Sequence, residues 1–181
     1  MAANMLAAYY SKGCDSRELF KGLQIEKNAS YEKYLNKFDV IHFDVQWCFK
    51  EAGSAEKTVS FITQTILAEL RAIYGAVIPE NVDKVSGALS YISAATGNKF
   101  VIIIDEWDVL IRDEATNKAV QDEYIDFLRN LFKGVEPTKF IALAYITGIL
   151  PIKKYKTQSA LNNFDEYTMI GPGLMAPWIG F

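Results

Sequence analysis

The chain has 181 residues, half of them apolar and 13% aromatic, which is enough to bury one real core and excludes a disordered segment. Its 22 acidic and 19 basic residues leave a formal charge of -3, so no basic field marks it for nucleic acid. No apolar run approaches the roughly 20 residues that span a bilayer, no basic residue precedes the apolar start as in a secretory signal, and Cys14, Cys48 and the lone His42 make neither a disulfide framework nor a zinc set; a soluble, cytoplasmic protein is expected.

The first twelve residues are strong helix formers, with Met1, Leu6 and Tyr9 or Tyr10 at helical spacing and Gly13 placed to cap the end. That helix opens on apolar residues with no Ser, Thr or Asp before it, a first sign that the chain is cut. Asp15-Ser16 opens a short helical piece that ends at Gly22, and Ser30 is placed to cap a helix over Tyr31–Phe38. Asp39–Val45 reads as a strand of alternating apolar residues, followed by a polar loop with Gly53 and Ser54.

Val59, Ile62, Ile66, Leu70 and Ile73 then predict an amphipathic helix from Ala55 to Tyr74, stopped at Gly75. Pro79 and Asn81 restart a helix carrying Val85, Leu89 and Ile92 to Gly97. Lys99–Glu106 is five apolar residues and then two acids, the pattern of a strand buried on both faces of a parallel sheet. A helix over about 117–132 leads to a second such strand, Phe140–Gly148. After Pro151 come a basic turn at Lys153–Ser159 and a further short strand at Glu166–Ile170. Strands alternating with helices predict a three-layer α/β sandwich with a parallel sheet in one domain, 1–181.

In open parallel sheets ligands lie beyond the carboxyl ends of the strands. Asp44 ends the first strand, Asp105, Glu106 and Asp108 the second, and Thr147 and Gly148 the third. A carboxylate after a buried strand can hold Mg²⁺ through its water shell, and a neighbouring carboxylate can polarise water for attack on a γ-phosphate.

The run Val101–Asp108, with Tyr145-Ile146-Thr147-Gly148-Ile149-Leu150 some forty residues on, resembles the AAA-ATPase-like family of bacterial P-loop proteins. Glu18–Leu23, Tyr34–Lys37 and Ser159–Phe164 are similar to further segments of that family. The resemblance implies a P-loop NTPase-like sandwich with a mostly parallel sheet. It implies Asp105 as the Walker B magnesium carboxylate, Glu106 as the catalytic carboxylate, and Thr147 as the nucleotide-sensing polar residue. Trp107 stands where an aromatic, often tyrosine, is usual. Mg-ATP is the ligand this implies for the intact family, whose members continue into a lid-like region and often a nuclease-like domain.

One departure bears on activity. The family's Walker A loop, Gly-Lys-Ser or Gly-Lys-Thr after an earlier glycine, occurs nowhere in the 181 residues. Gly53–Thr58 comes nearest, but Glu56 stands where the loop needs glycine, and its charge and Cβ would repel a phosphate. The resemblance therefore implies a truncated domain without the Walker A strand, binding no nucleotide by itself. Its sensor strand would be left with an open edge that invites pairing with missing segments or another copy.

Two other functions are compatible with these residues: an interaction or regulatory module on a P-loop scaffold, and a metal-dependent phosphoesterase using Asp44, Asp105, Glu106 and Asp108. His42 is read as a packed or hydrogen-bonded strand residue rather than a ligand, Arg112 and Arg129 as surface helix residues rather than arginine fingers, and Trp47 and Phe49 as core or interface rather than a base-stacking platform.

Overall fold

A computed structural model describes residues 2–113, 117–151, 161, 163–168 and 170–176. Its centre is β2, Phe100–Asp105, where every side chain from Phe100 to Ile104 is buried. Each of these five adds on the order of 2 kcal/mol of transfer free energy to folding. On one side β2 pairs in parallel with β1, Asp39–Asp44, and on the other with β3, Ile141–Ile146, giving the order β1-β2-β3.

Helices lie on both faces. Ala3 of α1, Ala2–Tyr10, packs with Val101 and Ile103 on one face, beside Val40 and Tyr145. The opposite face, Phe100, Ile102 and Ile104, packs under α3, Val45–Ala52, α4, Ala55–Tyr74, and α5, Val85–Thr96. The same core takes in α6, Val109–Arg112, α7, Lys118–Phe132, and α8, Pro137–Phe140. The expected α/β sandwich with a parallel sheet is thus present. Alternate residues of β2 serve the two cores, which is why its sequence is apolar without alternation.

Several ends differ from expectation for physical reasons. The first helix stops at Tyr10, and Gly13 does not cap it. Asn36 does so instead: its Nδ2 donates to the carbonyls of Ala8 and Ser11 at 3.1 and 2.9 Å, and its backbone N–H to that of Tyr9 at 2.7 Å. Asn36 sits at φ 55°, so the expected helix over Tyr31–Phe38 is one turn, α2, Tyr31–Tyr34. Ser30 gives that turn no side-chain cap; its hydroxyl donates to Asn28 at 2.7 Å.

The stretch after β1, expected as a polar loop, is the helix α3. Asp44 caps its start by accepting from the Trp47 N–H at 2.9 Å, and Gly53 closes it at φ 75°. The helix expected from Pro79 begins only at Val85. Of the strand expected at Glu166–Ile170, Glu166–Thr168 and Ile170 form none and Met169 lies outside the described residues; the backbones of Thr168 and Gly171 exchange two hydrogen bonds of 3.2 Å. The expected basic turn at 153–159 lies outside the described residues. At the amino ends of the strands, Lys12 Nζ reaches Asp39 at 2.7 Å and the Tyr74 hydroxyl at 2.8 Å, pinning the end of α1 to β1 and α4. Burial lowers the Lys12 pKa, but the hydrogen bonds to Asp39 and Tyr74 outweigh it and raise it overall.

Candidate functional site

The carboxyl end of the sheet is organised around Thr147. Its N–H donates to the Ile104 carbonyl and its own carbonyl accepts from the Trp107 N–H, both at 2.9 Å, while its hydroxyl donates to Asp105 Oδ1. A single residue just past the third strand therefore grips the end of the second and the turn that follows it. Asp105 and Thr147 project from the face covered by α1, as Val101 and Ile103 do, since alternate strand residues share a face.

Between the two gripped residues stands Glu106, half-buried, at φ 53°. This left-handed conformation costs a side chain other than glycine about 1 kcal/mol or more. Trp107 follows at 2% exposure. Gly148 is open to solvent, yet a Cβ there would lie 2.4 Å from Trp107 Cδ1 and 2.6 Å from Asp108 Oδ1. Only glycine permits this approach.

Asp44 and Asp105 are direct register partners on adjacent parallel strands, so their Cα atoms stand level at the sheet's end. Asp108 does not join them. Its side chain is fully buried, and Oδ2 accepts from the backbone N–H groups of Ile149 and Leu150 at 3.2 and 2.8 Å and from Arg112 at 3.3 Å. The four-carboxylate set proposed for a phosphoesterase is therefore not assembled. Among the described residues no three His, Cys, Asp or Glu side chains come together to hold a metal ion.

Arg112 is held by Asp108 and Asp113, and Arg129 pairs with Asp126. His42 is exposed. Phe49 packs on the main core as expected, whereas Trp47 is 53% exposed with its ring 6.0 Å from Phe61. Sequence reasoning missed the inward turn of Asp108 and the need for glycine at 148. The first had no local signal, and the second could be read only with Trp107 known to be buried. No helix among the described residues is long and apolar enough to cross a membrane.

A parallel α/β sandwich whose central strand ends in an acid pair, its aspartate bonded by a hydroxyl residue just past the next strand, defines the class of this protein. The chain belongs to the AAA-ATPase-like family: residues 1–157 match the family described as "Predicted AAA-ATPase". It is also similar to an "Uncharacterized protein in vnfD 5'region" of Azotobacter chroococcum mcd 1, with 31% identity over 77 residues, 42% of this chain. The aligned part is 15% of that protein's length. No solved structure matches the chain.

Proposed function

We propose that this chain carries the magnesium-and-water half of an ATP-hydrolysing site. Asp105 would hold Mg²⁺ through its water shell, Glu106 would polarise the attacking water, and Thr147 would fix the Asp105 carboxylate and sense the nucleotide. The observation that carries the reading is the threefold grip of Thr147 on the Ile104–Trp107 stretch. A strained glutamate held between two anchored neighbours is how backbone strain is kept at a working site.

The donors fit one half of the ligand. A half-buried carboxylate oxygen steadied by a hydroxyl suits a hard cation that keeps several waters. Magnesium so held would neutralise charge on the phosphates as the γ-phosphoryl group transfers. The other half lacks a counterpart, since the 181 residues contain no Gly-Lys-Ser or Gly-Lys-Thr to cradle phosphates. The chain by itself is accordingly proposed to bind Mg-ATP weakly and not to hydrolyse it.

Two titrations test this. Manganese, as a paramagnetic stand-in for magnesium, should broaden the NMR signals of Asp105, Glu106 and Thr147 first, and Asp105→Asn should abolish that selectivity; uniform broadening would sink the metal assignment. Calorimetry with Mg-ATP should show no binding tighter than millimolar, and micromolar binding would overturn the second half. The interaction-module reading rests on a different observation, the outer edge of β3, which has no strand partner among the described residues.

A further inference from the structure

The geometry points to Asp108 as a positioning residue that sets Glu106 from inside the protein. The turn after β2 and the turn after β3 are joined twice. On the outside Thr147 bonds the backbone and side chain of the Asp105–Trp107 stretch. On the inside the Asp108 carboxylate accepts from two consecutive N–H groups of the other turn, Ile149 and Leu150. Glu106 lies between these joints at φ 53°, so both ends of its peptide are fixed.

A fully buried carboxylate is a costly way to fill space. Among the described residues only Arg112, at 3.3 Å, supplies an opposite charge, and Oδ1 finds no hydrogen-bond partner there. The neighbouring Tyr124 phenol, also buried and without a hydrogen bond among the described residues, has its pKa raised by burial first and by the Asp108 charge second. An apolar side chain would pack there without these penalties. What only an acceptor can supply is the pair of bonds to successive amides, which fixes the direction of the chain leaving β3 and brings Gly148 against Trp107 and Asp108. Asp108 also stands at the start of α6, its carbonyl accepting from Ile111 and Arg112 at 3.0 and 2.8 Å, so it ties three elements to one point.

This inference rests on reading Glu106 as the water-polarising carboxylate. Its test uses no nucleotide or metal, so its failure and the failure of that reading are distinguishable. The carbon chemical shifts of Glu106 report its left-handed backbone, and amide exchange reports the Ile149 and Leu150 bonds. Asp108→Asn, which keeps an acceptor, should preserve both signals. Asp108→Ala should shift Glu106 out of the left-handed range and speed exchange at Ile149 and Leu150 about tenfold. Ile92→Val, a distant core variant, should change neither. A folded Asp108→Ala protein with unaltered Glu106 shifts would overturn the assignment, as would equal changes in the control. If the alanine variant does not fold, the unaltered protein decides: the amides of Trp107, Ile149 and Leu150 should open in one event with equal protection, and unequal protection refutes the joint.

Discussion

The hydroxyl of Thr147 donates to Oδ1 of Asp105, across 42 positions of the chain. Thr147→Val removes that donor at constant shape and leaves a half-buried carboxylate oxygen short of a bond. It should lower stability by about 1–2 kcal/mol in urea unfolding, while Thr147→Ser should stay within about 0.5 kcal/mol. Equal losses for the two variants would show that the methyl group, not the hydroxyl, matters here.

The strain at Glu106 predicts an unusual gain. Releasing a left-handed side chain is worth about 1–2 kcal/mol, and the extra freedom of glycine in the unfolded chain takes back about 0.4–1 kcal/mol. Glu106→Gly should therefore not lower the midpoint of chemical unfolding and should raise it by up to about 1.6 kcal/mol in free energy. A loss would mean that the Glu106 side chain makes a contact worth more than its strain.

At Gly148 the expectation reverses. The added Cβ of Gly148→Ala would meet Trp107 and Asp108 at 2.4 and 2.6 Å. Overpacking of this kind costs about 1–3 kcal/mol. The near-ultraviolet dichroism of the buried Trp107 should change with it, and an unchanged spectrum with unchanged stability would count against the close approach.

Burial pushes the Cys48 thiol from 9.0 up to about 11, with the Asp44 charge adding to it. The unfolded thiol loses its proton first, so this contribution to stability is intact below pH 9 and fades as the pH rises towards 11. Unfolding free energies across that interval should fall less steeply in Cys48→Ala. At neutral pH one thiol, the exposed Cys14, should react quickly with a disulfide reagent, and Cys48 only on unfolding.

The β3 edge carries Ile141–Ile146 with no charge or proline, and Leu143 is 38% exposed. An edge of this kind pairs readily with further strands. Sedimentation should show concentration-dependent association that Leu143→Lys weakens. Identical behaviour of the two proteins would remove the edge as the cause.

Much of this was legible in the sequence, and the reasons are local. Val101–Ile104 needed no alternation because the strand is buried on both faces, and α4 was marked by Val59, Ile62, Ile66 and Leu70. Asp105, Glu106 and Thr147 could be named because each closes an apolar run. What stayed hidden depends on partners distant along the chain. Asn36 caps a helix more than twenty residues before it, and Asp108 satisfies amides that follow β3. The helix α3 was marked in retrospect by Asp44 before it, Gly53 after it, and Val45 and Cys48 on one face. Its aromatic and charged residues disguised the pattern.

The pinning of Lys12 to Asp39 and Tyr74 has a mechanical side. The Tyr10–Ser11 end of α1 is fixed where the strands begin, by the Ser11–Phe38 bridge as well as by the lysine, and from there the helix runs back over Val101 and Ile103. A nine-residue helix is about 13 Å long. That length matches about four strand residues, so a helix anchored where the strands begin lies along the same face from which Asp105 and Thr147 project at the other end. The layer that covers the face of Asp105 is thus fixed by bonds made at the opposite end of the sheet.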